Sequence, residues 1–366
     1  MTPSSIYDPH WALYPKAYVA TRSIGPVEIN GDLEKPVWNS VPWSDLFEDI
    51  QGNDAPANAI SPAKTAFKAI YDDEHLYVGA LLHPSPVFRT EAHFTTRNSP
   101  IYQTDSDFEV FFDLNGSNHG YKEFEVNALN TVWNLMLDKP YDDGGHEHSG
   151  RIAHRGDSAF YDVNSQTTAV QVLEGRLNDA SNQGALWSVE MAFAFEDLAA
   201  HLPSPVPRPS PGTFWRINIS RVELKGEVNW TWQPQKVWDP LLRKHHGKVA
   251  MHMPDSWGYL IFGDTVLELD NSSWRDPLWP TKLAAMNIYY AQYFYKSLNG
   301  FYTDCMEELA GYLDLEITSP FKVDLVADTD RFLATVSASD EDQAISILDD
   351  RLLQVIPSAR MSSTAV

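Results

Sequence analysis

Acidic side chains occupy alternate positions in two segments of the chain, residues 105–114 and 121–132. A period of two is typical of β-strands with two unlike faces, and Gly116 and Gly120 between the segments predict a hairpin. One face is then apolar, and the other carries carboxylates and an amide. The apolar face contains Phe108, Val110, Phe112, Leu114, Phe124, Val126 and Ala128. The polar face contains Asp105, Asp107, Glu109, Asp113, Glu123, Glu125 and Asn127.

This polar face predicts a binding surface for a ligand rich in hydroxyl groups. Carboxylates accept hydrogen bonds and guanidinium groups donate them, so a mixed set suits sugar hydroxyls, which do both. Two later segments extend the face in the same alternation: Ser188 and Glu190 in residues 187–193, and Arg216 and Asn218 in residues 214–222. The alternative is a solvated sheet face that holds structural ion pairs. The sequence leaves both interpretations open.

Three tryptophans are candidates for stacking against a sugar ring. Trp133 follows the second acidic segment, and Trp230 and Trp232 share one face of a later strand. Aromatic rings stack on apolar C–H surfaces, and a pair of rings can clamp one sugar. The alternative is that these rings fill the core of the fold.

Paired carboxylates could also be catalytic, as in glycoside hydrolysis. In that alternative Glu123 or Glu125 acts as acid or base close to Arg216. Neither a nucleophile elbow, a P-loop nor a dinucleotide-binding glycine fingerprint is present. A non-catalytic binding protein is therefore favoured over an enzyme.

Two acidic loops are candidate calcium sites, because calcium prefers carboxylate and carbonyl oxygens. Asp142 and Asp143 lie in a glycine-rich loop with Glu147, and residues 72–74 form a second acidic turn. Neither loop has the ligand spacing of an EF-hand. Histidine pairs at 146/148 and 245/246 lack a zinc-binding motif and indicate surface histidines.

The bulk composition excludes several classes of partner and site. A formal net charge of −23 disfavours nucleic acid and anionic membranes. Cys305 is the single cysteine, so no internal disulfide can form. No signal peptide and no membrane-spanning apolar run is visible, which predicts a cytoplasmic protein or one secreted in a processed form. Oligomeric state is left open.

Short strands separated by Gly, Pro, Asn and Asp clusters extend from residue 18 to about residue 262. This spacing predicts a mainly β fold, an antiparallel β-sandwich or jelly roll, over residues 18–263. Residues 264–366 predict a small α+β appendage. The strands expected in the first part are 66–71, 76–82, 108–114, 123–132, 169–173, 187–193, 214–223 and 258–262. The second part predicts helices at 279–298 and 303–313, strands at 321–327 and 332–338, and either a strand or a helix at 344–348.

Five segments resemble family 9 carbohydrate-binding modules, in the expected order. They are INGDLEKPVW (29–38), IYDDEHLYV (70–78), DSDFEVFFD (105–113), EFEVNALN (123–130) and HMPDSWGYLIF (252–262). The resemblance implies a β-sandwich of the wider DOMON-like group that binds sugars, with calcium bound in some members. Residues 264–366 resemble the C-terminal extension of longer family 9-like proteins.

The resemblance also implies roles for particular residues. Trp133 and one of Trp230 or Trp232 would clamp the sugar. The polar contacts would come from Arg97, Glu109, Glu123, Asn127 and Arg221. The ligand expected is a mono- or oligosaccharide, or another small polar molecule. Calcium is the one cofactor expected, and neither nucleotide nor haem is, since the closing segment accounts for His252 between Met251 and Met253.

Overall fold

The described part of the protein is built mainly from β-strands. The computed structural model describes residues 6–23, 25, 27–149, 166–181, 183–202, 204–264, 274–339 and 342–358. Its strands are β1 Ala17–Arg22, β2 Glu48–Asp49, β3 Thr65–Tyr71, β4 His75–Leu82, β5 Asp107–Asp113, β6 Tyr121–Asn127, β7 Val132–Leu137, β8 Glu147–His148, β9 Thr167–Glu174, β10 Leu186–Ala194, β11 Phe214–Glu223, β12 Val228–Thr231, β13 Lys236–Asp239, β14 Lys244–Gly247, β15 Gly258–Gly263, β16 Lys322–Ala327, β17 Phe332–Ser337, β18 Gln343–Leu348 and β19 Leu353–Pro357. Its helices are α1 Asp8–Ala12, α2 Pro36–Asn39, α3 Phe195–Ala199, α4 Trp279–Asn299, α5 Met306–Leu309 and α6 Leu315–Thr318.

One large curled sheet contains most of the strands. Its order is β8-β7-β6-β5-β11-β15-β1-β3-β4-β10-β9, with β12 paired to β11 and β2 paired to β12. Strand β1 is parallel to both β15 and β3, and the other pairings described in this sheet are antiparallel. The closing strand β15 is therefore the link between the β5–β11 half and the β3–β4 half.

The two halves of the sheet face each other across a shared core, which makes the fold a β-sandwich. Phe112 of β5 and Phe124 of β6 both contact Phe193 of β10, with ring centroids 5.1 Å and 4.8 Å apart. All of the apolar residues predicted to share one face of β5 and β6 are buried in this core. The predicted hairpin and its apolar face are confirmed.

Two predicted elements are wrong in their extent. The strand expected at 123–132 is two strands, because the Asn127 side chain accepts the backbone N–H groups of Leu129 and Thr131 and closes a turn. Asn130 completes this turn at φ 62°. The helix expected at 303–313 is only the single turn α5, and residues 344–348 belong to strand β18.

Helix α4 joins the C-terminal part to the sandwich. It packs on the four-stranded sheet β16-β17-β18-β19 and on the outer side of β15, where Tyr259 and Ile261 enter the same apolar cluster. The helix ends at Gly300, whose φ of 84° suits the left-handed residue after a helix. No helix in the described ranges is long and apolar enough to cross a bilayer.

Candidate functional site

The polar face of β5, β6 and β11 is the floor of a pocket of about 480 Å³. The face was expected to meet solvent, but every residue of β5 and β6 is buried. Loops cover it and leave this pocket, which is called the acidic pocket below. Its lining is Ile50, Tyr102, Glu109, Phe111, Glu123, Glu125, Trp133, Leu135, Tyr141, Val222, Gly226, Asn229, Val249, Ala250, Met251 and His252.

Strand register sets the position of each carboxylate on this floor. Glu109 of β5 lies opposite Glu125 of β6, and Glu125 lies opposite Trp133 of β7. Glu123 lies two residues along β6 from Glu125 on the same face, because side chains alternate across a strand. The strand register therefore brings these acidic side chains close together on one face of the sheet.

Three buried carboxylates lie close together here: Glu109 and Glu125 line the pocket, and Asp107 is their neighbour but not a lining residue. Ligating oxygens of Asp107, Glu109 and Glu125 lie within 4.8 Å of one another. All three residues are at most 3% exposed. Neither oxygen of Asp107 makes a hydrogen bond of ordinary geometry with a described residue.

Burial and mutual repulsion hold protons on these groups. Burial raises the pKa of Glu109 to about 7. Burial, and then the neighbouring carboxylates, raise the pKa of Asp107 and of Glu125 well above the usual range. The described lining contains no lysine or arginine that could offset these charges. At neutral pH the floor therefore retains carboxylic acid groups that can donate as well as accept hydrogen bonds.

Aromatic rings form one wall of the acidic pocket. Trp133 stacks on Tyr102 with ring centroids 4.5 Å apart and an angle of 19° between planes. Trp133 is only 4% exposed, whereas Tyr102 is half-buried. Tyr102 thus covers one face of the indole and is the more accessible ring of the pair.

His252 and Tyr141 lie at another edge of the pocket. The His252 ring makes a T-shaped contact with Tyr141 at 4.7 Å, and its Nδ1 is 3.1 Å from the Tyr121 hydroxyl. Its Nε2 is 3.9 Å from Oε2 of Glu123. Burial lowers the pKa of His252, so the imidazole is neutral near pH 7 and does not neutralise the acids.

Comparison with known proteins finds one sequence family that is similar to part of this chain. The sequence model of the carbohydrate family 9 binding domain-like family matches residues 29–196, just under half of the chain. Residues 29–196 are therefore similar to this family. The family 9-like region includes β5, β6 and β7 of the acidic pocket, whereas the closing segment 252–262 lies beyond the match. No curated protein matches the chain.

Three solved structures are similar to the chain at low identity. One is a candidate carbohydrate-binding protein from Bacteroides uniformis ATCC 8492, with 13% identity, a TM-score of 0.48, and coverage of 68% of this chain and 99% of that one. The others are family 9 modules from Caldicellulosiruptor kristjanssonii. The module in complex with cellotriose has 16% identity, a TM-score of 0.37, and coverage of 71% of this chain and 99% of that one. The module in complex with glucose has 17% identity, a TM-score of 0.38, and coverage of 70% and 100%.

Four of the residues predicted from sequence meet in the acidic pocket of the family 9-like region: Glu109, Glu123, Glu125 and Trp133. Asn127 is adjacent but fully buried. Its side chain donates to the Phe94 carbonyl and the Asp105 carboxylate, so its amide serves the turn before β7. Arg97 is an exposed residue of the preceding loop and does not line the pocket.

Trp230 and Trp232 pack in the sandwich core instead of forming a clamp. They are 0% and 1% exposed. The Trp230 ring lies 5.3 Å from the Arg221 guanidinium, and the Trp232 ring makes a T-shaped contact with Phe67. Both rings do share one face of the sheet, as alternation predicts, but it is the inner face.

Arg221 belongs to the same inner face and not to the acidic pocket. It forms a fully buried ion pair with Glu223 at 2.7 Å and donates to Thr65 and to the His83 carbonyl. Because Arg221 and Glu109 project from opposite faces of paired strands, Arg221 cannot contact a ligand held by Glu109.

The remaining polar residues predicted from the sequence lie outside the acidic pocket. Ser188 and Glu190 are on β10, in the other half of the sandwich, and both bond to residues 30–31. Arg216 is opposite Asp113 at the far end of β11, where it donates to the carbonyls of Asp255 and Trp257. Arg216 does not line the acidic pocket, so it does not lie beside Glu123 or Glu125 as the enzyme alternative requires.

The acidic loop predicted to bind calcium is used differently. Asp142 is exposed, whereas the Asp143 carboxylate is buried and pairs with Arg351 at 2.9 Å. Asp143 also accepts the hydroxyls of Tyr289 and Tyr293. Among the described residues, the group of acidic side chains whose oxygens lie close enough to share one cation is Asp107, Glu109 and Glu125.

The sequence pattern does not predict residues 102, 111, 141 and 229 as part of a binding site. Tyr102 and Tyr141 lie in three-residue 3-10 turns, and Asn229 lies in the short strand β12. Phe111 is the one of the four that carries a signal, because it places an apolar ring on the polar face of β5. A ring there indicates that the face is covered.

Proposed function

We propose that the acidic pocket binds a carbohydrate and does not transform it. The observation that supports this most strongly is the cluster of Asp107, Glu109 and Glu125 beside the stacked Tyr102 and Trp133. Acid groups that share protons can bond to hydroxyls in either direction, and an aromatic wall suits the C–H face of a ring. The family match of residues 29–196 supports the same class of ligand.

The size of the pocket restricts the ligand. A volume of about 480 Å³ lies within the range of small-molecule sites. We infer that one or two sugar rings enter it and that a longer oligosaccharide extends past Tyr141, which is 44% exposed. A terminal residue of a glycan is the part expected to reach Glu109.

Calcium remains part of the proposal at the same floor. Asp107, Glu109 and Glu125 would hold the cation, which would supply a positive charge that sugar hydroxyls can also coordinate. Asp107 has both oxygens without an ordinary hydrogen bond and is the residue best placed to be a ligand. Binding of the cation would release the protons that these groups retain without it.

Calorimetric titration with glucose, xylose, cellobiose and xylobiose, with calcium and with a chelator, tests the proposal. Each mixture is also assayed for product. Saturable binding without product supports a recognition site, and the calcium series shows whether the cation is required. Product formation would instead favour an enzyme with Glu123 or Glu125 as acid or base. Silence across the panel would overturn carbohydrate binding by this pocket.

Two variants test whether the sugar binds in the acidic pocket. Glu109→Gln keeps the shape of the floor and removes one titrating group, so sugar affinity should fall about tenfold. Asp142→Asn is the matched control, since it removes one exposed carboxylate outside the pocket and should leave affinity unchanged. Equal effects of the two substitutions would place the ligand elsewhere.

A further inference from the structure

A second cavity lies between the sandwich and helix α4. It has a volume of about 330 Å³, and it is called the helix cavity below. Its lining includes Tyr14, Arg216, Trp238, Trp279, Leu283 and Asn287, which come from the N-terminal segment, β11, β13 and α4. None of these residues lines the acidic pocket, so the two sites share no side chain.

Arg216 brings a buried positive charge to this cavity. It is 5% exposed, and its hydrogen bonds go to the backbone carbonyls of Asp255 and Trp257. Across the described residues, no carboxylate lies within 4.0 Å of its guanidinium nitrogens, and Nη1 has no hydrogen-bond partner. The buried Asp113 carboxylate, opposite Arg216 in the sheet, and the Tyr259 ring, 4.6 Å from the guanidinium, offset part of this charge without forming an ion pair. A buried charge that lacks an ion-pair partner is unfavourable.

The other charged groups of the lining are already paired. Lys282 contacts Asp276 at 2.7 Å, and Lys236 lies 3.7 Å from Asp54. The Asp255 carboxylate is 3.2 Å from the Arg351 guanidinium. Arg216 is therefore the charged group of this lining that lacks an ion pair, and a bound anion could supply one.

Asn287 supplies a second unsatisfied donor. It is 1% exposed, and its Oδ1 accepts the backbone N–H of Asp314 at 2.9 Å. Its Nδ2 has no hydrogen-bond partner among the described residues. Leaving a buried amide donor unpaired costs free energy, so a ligand oxygen here would be stabilising.

The walls of the helix cavity are aromatic. The indole N–H of Trp238 donates to the Tyr312 carbonyl at 2.7 Å, and that of Trp279 donates to the His10 carbonyl at 2.9 Å. Both polar edges are thus used outside the cavity. What the two rings contribute to the cavity is apolar surface, which suits a flat or ring-shaped body.

We propose that the helix cavity binds a small organic acid with one carboxylate and one ring. The carboxylate accepts hydrogen bonds from Arg216 and Asn287, and the ring packs against Trp238 and Trp279. Ala12 is exposed and Lys236 is half-buried, so these residues form the open side. This site is independent of the proposed carbohydrate site.

The test is calorimetric titration of the full chain with benzoate, 4-hydroxybenzoate and glucuronate, each paired with its neutral counterpart benzyl alcohol, 4-hydroxybenzyl alcohol or glucose. Glucose and glucuronate are both measured in the Glu109→Gln background, in which sugar binding in the acidic pocket should be about tenfold weaker. The acids should bind at least about tenfold more tightly than the neutral compounds. Equal affinity, or no binding of any acid, overturns the proposal and indicates a structural cavity.

Two variants assign that binding to the cavity. Asn287→Asp keeps the acceptor for Asp314 and replaces the unsatisfied donor with a negative oxygen, so acid affinity should fall about tenfold or more. Leu283→Phe fills space from the same helix and should weaken acids and neutral compounds alike. Glu109→Gln should leave acid binding unchanged. Unchanged affinity in a folded Asn287→Asp or Leu283→Phe variant, judged by its melting curve, would contradict the site.

Discussion

Glu109 of β5 and Glu125 of β6 lie directly opposite each other in the antiparallel register, and both are buried. Like charges at such positions repel, and burial removes the water that would screen them. Asp107 adds a third carboxyl within 4.8 Å. The folded protein can keep this arrangement only by retaining protons or by binding a cation, and that requirement links stability to the ligand chemistry of the pocket.

The first prediction is that stability without calcium falls as pH rises. The pKa of Glu109 is about 7 in the folded protein, above the value near 4.5 of the unfolded chain. A raised folded pKa gives stability that is complete below about pH 4.5 and lost as pH rises through about 7. Glu109 alone accounts for about 3 kcal/mol at most across this window. The melting temperature, measured from pH 5 to pH 8 in the presence of a chelator, tests this fall in stability.

Glu109→Gln separates this group from the other carboxyls that titrate in the same range. The amide cannot ionise, so the variant should lose less stability than the natural protein between pH 5 and pH 8. It should be the more stable of the two at pH 8. If the melting temperatures of both proteins fall equally between pH 5 and pH 8, Glu109 is not the group that causes the loss of stability. Added calcium should raise the melting temperature most at pH 8, where fewer protons compete.

The second prediction concerns the aromatic wall. Tyr102→Ala removes the accessible ring of the Tyr102–Trp133 stack and should weaken sugar binding about fivefold to tenfold. Because Tyr102 is half-buried, the free energy of unfolding should fall by only about 1 kcal/mol. Titration with the sugar that binds best and chemical denaturation give the two values. Trp133→Phe is the companion variant, since it keeps an aromatic face. Full affinity in Tyr102→Ala would remove this ring from the site.

The third prediction tests whether Trp230 is a core residue or a ligand contact. Trp230→Ala should lower the free energy of unfolding by about 3–5 kcal/mol, because the fully buried ring leaves a cavity beside Phe88 and Arg221. Trp43→Ala, at a residue 41% exposed, should cost less than about 1 kcal/mol. Urea denaturation compares them. A Trp230→Ala protein with normal stability and lost sugar affinity would restore the clamp interpretation.

Alternation along β5 and β6 was enough to predict the hairpin, the inner face and the three acids that meet in the pocket. Those features depend on neighbouring positions in one strand pair, which the sequence pattern reports directly. The resemblance to family 9 modules was likewise carried by local segments. Helix α4 was predicted within one residue, because its long run without Gly is closed by Gly300.

The rest depended on contacts between distant segments. Residues Tyr102 and Met251 reach the pocket from loops, and no periodicity marks a loop that covers a sheet face. The sandwich also has two polar outer faces, and alternation cannot tell them apart. For that reason the sequence pattern assigns Glu190 of β10 and Glu123 to one face, although the two residues lie in different halves of the fold.

The fourth prediction follows from what Glu190 does in its own half. Its carboxylate is 0% exposed and accepts the Trp38 indole N–H at 2.6 Å and the backbone N–H groups of Asn30 and Gly31 at 2.9 and 2.7 Å. Lys35 pairs with it at 2.6 Å. Four donors converge on one carboxylate, so Glu190 fastens residues 29–38 to the outside of β10.

Glu190→Gln replaces one acceptor oxygen with a donor that faces these N–H groups. The free energy of unfolding should therefore fall by about 3 kcal/mol or more. Lys35→Met removes the partly exposed partner and leaves the other donors, so its cost should be smaller, about 1 kcal/mol. Hydrogen exchange at residues 29–38 should accelerate in Glu190→Gln, while exchange in β5 and β6 follows global unfolding. Since the acidic pocket is in the other half, sugar affinity of the folded Glu190→Gln protein should be unchanged. A loss of affinity at full folding would instead show that the two polar faces are coupled through the core.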